Sequence, residues 1–320
     1  MTRPALLSLA LLLSLALSAC AAPVQPSAAP VSLKIAVLPF IDALPLHVAE
    51  QQGLFTKANL QVELIPVGAA PQRDQLIAAG QADGTINEIL STFFFNKAQT
   101  QVQVVRYDLA PTAKAGHFFI LASAKSGITK PEQLKGVEIG VSQSTIIEYV
   151  TERVLQAQGF KPEEIKTIAV PNMSDRMTLL ASGQLKAAVL PDPLAALAIQ
   201  QGAVSVLDDA AYPHYGFSVI TFRKAVIDQH PEAIRAFLAA VEQSVAQINA
   251  NPSGYTSLLS DKKIVPAPLL KTYQAPPFPT AGVPTEAEWQ DALAWAKAKG
   301  LLTADVAYAT SVNASFLPKP

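Results

Sequence analysis

The sequence predicts an α/β protein of two lobes, each a mostly parallel sheet flanked by helices. Short apolar, β-branched segments alternate with helix-like segments, which is the pattern of parallel sheets. The pattern also recurs, because residues 76–81 are echoed by residues 179–184 and residues 34–37 by residues 138–141, at offsets of 103 and 104 residues. Two matches at nearly one offset indicate two similar lobes; independent convergence of two βαβ units is the alternative.

The amino-acid composition limits the classes of function that this protein can have. The 320 residues are 50% hydrophobic, which is enough for a sizeable core or two medium ones. Lys and Arg number 24 and Asp and Glu 25, without a long run of either sign. The absence of a basic stripe argues against nucleic acid binding. We expect a monomer.

The first 32 residues predict export and a membrane anchor. Residues 1–19 have a short basic start and an apolar run too short to span a membrane, as in a signal peptide. Their end and Cys20 read Leu-Ser-Ala-Cys, which resembles the bacterial lipobox, so Cys20 is the predicted lipidation site; a plain signal peptide with an accidental cysteine is the alternative. Residues 20–32 then form a Pro/Ala-rich tether. Since Cys20 is the only cysteine, the exported protein has no disulfide and no thiolate nucleophile.

The first lobe is predicted from a regular series of elements. Gly53 and Gly80 close two helices, and Asn59 tolerates the left-handed backbone before a strand. In order, the predicted elements are strand 33–38, helix 46–52, strand 62–65, helix 71–79 and a strand around residues 85–86.

The second lobe centres on residues 136–149, a strand followed by a polar turn and a helix start. Thr145 and Glu148 have the spacing of a capping box. A helix start carries unpaired N–H groups that can hold the polar end of a ligand, although an ordinary capped helix fits this stretch equally. The other predicted elements are strands 102–107, 117–122, 187–190 and 217–222, a short helix before residue 134, and helices 231–248 and 286–299.

Taken together, these segments resemble the solute-binding proteins of bacterial ABC importers. The likeness is to the branch that binds thiamine precursors, riboflavin, sulfonates and nitrate, and it covers nearly the whole exported chain. Two positions depart from the family pattern: Lys186 replaces an acidic residue, and Asn59 replaces a glycine. The residues that carry the resemblance are 49–55, 60–64, 76–83, 134–141 and 183–190.

The resemblance implies a periplasmic-binding-protein type II fold with the ligand in a cleft between the lobes. Lobe one would comprise residues 33–121 and 219–320, and lobe two residues 122–218. Strands 117–121 and 217–221 would cross between them, and hinge motion would close the cleft. The implied partners are an ABC permease and its ATPase. The implied location is the outer face of the cell membrane, toward the periplasm or the exterior.

Candidate ligand-binding residues follow the predicted strands, because ligands of open α/β sheets sit beyond the carboxyl ends of strands. Core packing is the alternative for Phe40, a turn for Asp42, and helix capping for Asn87 and Asp192. The predicted ligand-binding residues are Phe40, Asp42, Asn87, Glu88, Tyr107, Ser142, Ser144, Thr145, Asn172, Asp192, Tyr212 and Tyr215.

These positions predict the chemistry of the ligand. Carboxylates, amides, hydroxyls and aromatic rings dominate them, and none of them is an arginine. A sulfonate or nitrate is well bound by a bidentate arginine. We therefore expect a neutral or cationic heteroaromatic ligand, such as a thiamine pyrimidine precursor or a flavin, and no cofactor. A sulfonate, taurine or nitrate ligand is the alternative.

An enzyme of the thiamine-pyrimidine-synthase-like group is the alternative of another class. Those enzymes resemble this family but carry a cysteine-rich, iron-associated motif, and the only cysteine here is assigned to the anchor. The four histidines, His47, His117, His214 and His230, do not have metal-ligand spacing. The sequence therefore favours a carrier without enzymatic activity or a metal site.

Overall fold

The structure, a computed structural model, describes residues 29–318. The predicted signal peptide, the lipidation site Cys20 and most of the tether lie outside the described residues. The tether was expected to reach residue 32, but the first strand already begins at Val31, which pairs with Leu60. No helix in the described part of the chain is both long and apolar enough to cross a membrane.

The first sheet has five strands in the order β2-β1-β3-β10-β4. Strands β1, β2 and β3 are parallel, and β10 runs antiparallel between β3 and β4. Their bounds are β1 Val31–Val37, β2 Leu60–Pro66, β3 Gly84–Asn87, β4 Val102–Tyr107 and β10 Val219–Arg223.

The second sheet repeats this architecture in the order β7-β6-β8-β5-β9. Here β6, β7 and β8 are parallel, and β5 runs antiparallel between β8 and β9. Their bounds are β5 Phe118–Ala122, β6 Glu138–Val141, β7 Lys166–Ala169, β8 Ala187–Pro191 and β9 Val204–Asp208. The predicted α/β fold of two lobes is confirmed.

One predicted boundary between the lobes is wrong. Residues 117–121 were assigned to lobe one, but β5 is hydrogen-bonded to β8 and β9 in the second sheet. The chain therefore changes sheet between Tyr107 and Phe118. An apolar strand buried on both faces gives no signal of which sheet it joins, because its pattern is the same in either.

Twelve helices are found among residues 29–318, and the predicted helix ends are close to the observed ones. Asn59, Gly53 and Gly80 have the positive φ angles expected of them, +57°, +64° and +69°. The helices are α1 Leu44–Gln51, α2 Leu54–Lys57, α3 Ala70–Ala78, α4 Ile89–Asn96, α5 Ile146–Ala157, α6 Met173–Ser182, α7 Leu194–Gln200, α8 Lys224–Gln229, α9 Pro231–Ala250, α10 Thr256–Asp261, α11 Glu286–Ala298 and α12 Tyr308–Ser311. Short 3-10 turns, including Ile41–Ala43, complete the connections.

Two apolar clusters hold the sheets and helices together. The first packs α9 against β1, β10 and the α1–α2 region, as the apolar face of residues 234–248 predicted. The second joins α4, α5 and α11. Within it, the Trp289 ring of α11 meets Phe93 of α4 edge-on at 4.6 Å between ring centres. Helix α11 therefore packs against helices that follow strands of both sheets.

Candidate functional site

The two connections between the sheets run side by side. The Asp108 N–H donates to the Ser218 carbonyl at 2.9 Å, and the Ser218 N–H donates to the Leu109 carbonyl at 2.8 Å. These paired segments follow β4 and precede β10, so they form the place where both sheets meet. The strand ends around this crossing are the natural location of a ligand in such a fold.

Four aspartates that follow strands lie at this crossing, and three of them are close to His117. The Asp42 Oδ1 atom lies 3.7 Å from His117 Nε2. The His117 N–H donates to Asp209 at 2.7 Å, and the Asp192 N–H donates to the His117 carbonyl at 2.9 Å. Asp108 is close enough to Asp42 for their charges to interact. We call this group the acidic cluster: Asp42, Asp108, Asp192 and Asp209.

The acidic cluster has fewer donors than its oxygens can accept. Asp42 Oδ1 and Asp209 Oδ2 have no hydrogen-bond donor among residues 29–318, and the fully buried Asp108 has only the nearby Ser218 hydroxyl. Burial, and then the Asp42 charge, raise the pKa of Asp108 well above its usual range. Burial raises the pKa of Asp209 to about 6. A buried acceptor without a donor is costly, so N–H groups of a ligand would be favourable partners here.

His117 has one nitrogen directed at this cluster. Its Nδ1 atom lies 2.9 Å from the Gly216 carbonyl oxygen, which can only accept, so Nδ1 carries a proton. The Nε2 atom then faces Asp42 as a second acceptor when the ring is neutral, and as a donor when the ring is charged. An N–H donor placed between Asp42 and His117 satisfies both groups when the ring is neutral.

Asp192 links the cluster to the C-terminal part of the chain. The Tyr273 hydroxyl donates to Asp192 Oδ2. Burial raises the pKa of Asp192, against the effect of this hydrogen bond. The expected alternative, that Asp192 caps the helix at residue 194, is wrong, because the residue before α7 is Pro193 and no side chain caps that helix.

The turn before α5 lies at the corresponding strand end of the second sheet. Thr145 caps α5: its hydroxyl accepts from the Ile147 N–H at 3.2 Å and donates to the Ser142 carbonyl at 2.7 Å. The predicted capping box is wrong in its second half. Glu148 accepts from the N–H of Ser144, not of Thr145, at 2.7 Å, because Ser144 adopts a left-handed backbone with φ +60° that directs its N–H at the carboxylate.

An arginine lies next to this turn, contrary to the sequence-based expectation. Arg176 Nη2 donates to the Ser142 hydroxyl at 2.6 Å. Its other bonds go to the carbonyls of Val170 and Val189, at 2.6 to 2.9 Å. No carboxylate of the described chain lies within ion-pair distance of it, and burial lowers the pKa of Arg176 to about 10. The prediction missed Arg176 because it considered only residues that follow strands, and Arg176 lies within α6.

Three other predicted site residues, Phe40, Asn87 and Glu88, lie in the first lobe. Asn87 is 2% exposed, accepts from the Thr221 hydroxyl at 3.2 Å and does not cap a helix. Glu88 is the cap of α4, accepting from the Ser91 N–H at 2.8 Å, and it pairs with Arg73. Phe40 is half-buried and belongs to none of the apolar clusters of the described residues. Of these three, Phe40 retains a free ring surface.

Tyr107 and Asn172 also have partners within the protein. The Tyr107 hydroxyl donates to Glu288 at 2.6 Å, and its ring meets Phe217 edge-on at 5.1 Å. Asn172 caps α6, accepting from the N–H groups of Ser174 and Asp175.

Tyr212 is not brought to the turn before α5. Its hydroxyl accepts from Gln158, 13 residues beyond Thr145 and therefore about 20 Å along the helix. Tyr215 stacks on Tyr212 at 6.2 Å and meets Tyr149 edge-on. Both tyrosines pack along α5.

The sequence also left several residues of the crossing without a role. His117 and Asp108 directly flank the connection between β4 and β5, so the predicted crossing strand was a usable signal for both. Asp209 follows β9 in the same way. No sequence signal places Tyr273 against Asp192, because 81 residues separate them.

Two further observations limit the location and the chemistry of the site. Residues 29–318 contain no group of three or more His, Cys, Asp or Glu side chains arranged to hold a metal ion. A groove of about 810 Å³ lies elsewhere, between α5, β7 and α11, and shares no residue with the acidic cluster or with the Ser142–Thr145 turn.

Comparison with known proteins identifies the family of this chain. The NMT1/THI5-like family matches residues 41–254, two thirds of the chain. The chain belongs to the NMT1/THI5-like family. Among relatives, it is 25% identical over 218 residues to a putative thiamine biosynthesis protein of Haemophilus influenzae, covering 66% of this chain and 67% of that protein.

Solved structures show the same fold in proteins of different activities. The periplasmic aliphatic sulphonate binding protein SsuA from Escherichia coli superposes with a TM-score of 0.75 at 19% identity, covering 89% of this chain and 92% of SsuA. The desulfurization enzyme DSZB superposes with a TM-score of 0.67 at 16% identity, covering 89% of this chain and 97% of DSZB. This member of the NMT1/THI5-like family therefore has the periplasmic-binding-protein fold, and its ligand must be argued from its own residues.

Proposed function

We propose that this protein is an extracytoplasmic solute-binding lipoprotein of an ABC importer. Lipidated Cys20 anchors it, the tether holds the folded body away from the membrane, and the cleft between the sheets captures a small nutrient for a permease. The family membership and the shared fold with SsuA support this proposal. Closure of the two lobes around the ligand is the step that the permease would recognise.

The acidic cluster carries the proposal for the ligand. Carboxylates from both sheets meet at the crossing, and several of their buried oxygens have no donor within the described chain. A ligand that brings amino or ring N–H groups satisfies these acceptors, whereas an oxyanion group brings no hydrogen-bond donor to them. The half-buried Phe40 offers a ring for stacking at the end of β1. We therefore propose an aminated heteroaromatic ligand, a thiamine pyrimidine precursor or a riboflavin-like compound.

Arg176 favours a second candidate, a sulfonate, taurine or nitrate. Its charge is not neutralised by a carboxylate, and it reaches the turn through the Ser142 hydroxyl at 2.6 Å. The guanidinium itself is fully buried and already donates to two carbonyls. It acts on a ligand only through Ser142, and for this reason the aminated ligand is preferred.

A thermal-shift panel separates the two candidates. The probes are 4-amino-5-hydroxymethyl-2-methylpyrimidine, riboflavin, taurine and nitrate. We expect the pyrimidine or riboflavin to raise the Tm, and taurine and nitrate to leave it unchanged. A rise with taurine or nitrate alone would establish the second candidate.

An enzyme of the thiamine-pyrimidine-synthase-like group is the alternative of another class. Incubating the purified protein with the ligand that raises its Tm and analysing the mixture by mass spectrometry tests it. We expect the ligand to be recovered unchanged. A product that accumulates with time would require an enzymatic function instead.

A further inference from the structure

The turn before α5 is stabilised by one buried carboxylate, that of Glu148. Glu148 is 3% exposed and accepts from the Ser144 N–H at 2.7 Å and from the Thr167 hydroxyl at 2.9 Å. Ser144 has a left-handed backbone, φ +60°, which is unfavourable for a residue other than glycine. The bond to Glu148 compensates for this conformation and thereby fixes the turn.

Lys299, far along the chain, completes this arrangement. Its Nζ atom donates to Glu148 at 3.0 Å and to Glu152 at 2.7 Å. Among residues 29–318, it is the one cation within ion-pair distance of Glu148. Burial opposes the charge of Lys299, but the hydrogen bonds to Glu152 and Glu148 outweigh it and raise its pKa. The ion pair holds the Glu148 carboxylate at the position from which it accepts the Ser144 N–H.

The helix that ends at Lys299 also contacts the first lobe. On α11, Glu288 accepts from the Tyr107 hydroxyl at 2.6 Å, and Trp289 packs on Phe93. Toward the second lobe, Asp291 accepts from the Tyr149 hydroxyl at 2.7 Å. The contact of Lys299 with the turn therefore extends from an element that touches both lobes.

We propose that Lys299 is a positioning residue for ligand binding. Through Glu148 it sets the backbone of Ser144, and so the direction in which the first N–H groups of α5 face the cleft. Because α11 contacts both lobes, the position of the first lobe affects the turn through the same helix. This inference rests on the proposed function, and it adds the turn before α5 to the surface that contacts the ligand.

The test compares Lys299→Gln with Lys299→Arg and with the matched control Lys297→Gln. Lys297 lies on the same helix and forms a similar ion pair, with Asp305 at 2.7 Å, but does not contact α5. Titration calorimetry uses whichever of the four panel compounds binds. We expect Lys299→Gln to weaken binding about tenfold, because a displaced supporting contact misorients the groups that it holds. Lys299→Arg and Lys297→Gln should bind as the wild type does.

Hydrogen exchange of the ligand-free protein provides a second readout. We expect the Ser144 amide to exchange faster in Lys299→Gln, relative to amides elsewhere in the second lobe, and at the wild-type rate in Lys297→Gln. Unchanged exchange at Ser144, or unchanged affinity in Lys299→Gln, would overturn the inference. If none of the four compounds binds the wild type, the proposed ligand classes fail, and the exchange rate of Ser144 alone decides whether Lys299 positions the turn.

Discussion

Arg73 in the first lobe and Arg176 in the second occupy equivalent places with opposite surroundings. They are 103 residues apart, the offset of the internal repeat. Each donates from Nη1 to the carbonyl near the end of its lobe's third strand, Ile86 at 3.4 Å and Val189 at 2.6 Å. Those two acceptors are also 103 residues apart.

The carboxylates around the two arginines differ. Arg73 is neutralised by Asp74 at 2.7 Å and by Glu88 at 3.5 Å. The residues 103 positions later are Met177 and Pro191, which carry no charge. Burial lowers the pKa of Arg73, but the charges and hydrogen bonds of Glu88 and Asp74 together outweigh burial, so the net change is upward. The pKa of Arg176 instead falls to about 10.

This contrast shows how a duplicated scaffold can be specialised. In the first lobe the arginine and its carboxylates form a closed structural group beneath the sheet. In the second lobe the equivalent arginine directs a donor to Ser142, in the turn before α5. The first lobe instead places Asp42 beside His117 at the crossing. In the proposed function, the two lobes thus offer a ligand groups of opposite charge preference.

Arg73→Met removes the arginine whose charge is neutralised by carboxylates, and it should have the largest effect on the free energy of unfolding. It leaves Glu88 and Asp74 without their cation, which costs about 3–5 kcal/mol when a buried pair is broken. Burial already raises the pKa of Glu88 in the wild type. A carboxyl group with a raised pKa takes up protons on folding, so the loss should be greatest at pH 7.5 and smaller at pH 5. Urea unfolding at both pH values measures it.

The double variant Arg73→Met/Glu88→Gln is the control for that prediction. It removes the uncompensated carboxylate and should recover part of the lost stability at pH 7.5. A stability loss in Arg73→Met that does not change with pH would contradict the assignment of the effect to Glu88.

Arg176→Met removes the arginine that has no carboxylate partner in the described chain, and it should have a smaller effect on the free energy of unfolding. The carbonyls of Val170 and Val189 lose their donors, but a buried cation without a counter-ion is also removed. We expect a net loss of about 2 kcal/mol, within the range for unsatisfied buried acceptors. Because no carboxylate partner is left behind, the loss should be the same at pH 5 and pH 7.5. A pH-dependent loss, measured by the same urea titrations, would show an ion pair at Arg176.

The sequence determined the repeated elements well and the side-chain partners poorly. Strand β4 was predicted with its observed bounds because its valine-rich segment lies between the polar residues Gln101 and Asp108. Strand β6 and the Thr145 cap were also predicted, since both are local patterns. In contrast, the sheet of β5 and the ring of aspartates around His117 depend on contacts between distant segments. Arg176 had a usable signal, its offset from Arg73, which the prediction of strand-end residues did not use.

The central claim is that the acidic cluster, not the turn beside Arg176, determines the chemistry of the ligand. Titration calorimetry of the panel compound that binds, at pH 7.5, with the wild type, Asp42→Asn and Ser142→Ala tests it directly. We expect Asp42→Asn to weaken binding of an aminated ligand about 10- to 100-fold, as loss of a charge-assisted hydrogen bond does. Ser142→Ala should stay within about threefold, since Ser142 contributes a neutral hydroxyl. Wild-type affinity in Asp42→Asn together with a large loss in Ser142→Ala would contradict the account and assign the cleft to an oxyanion.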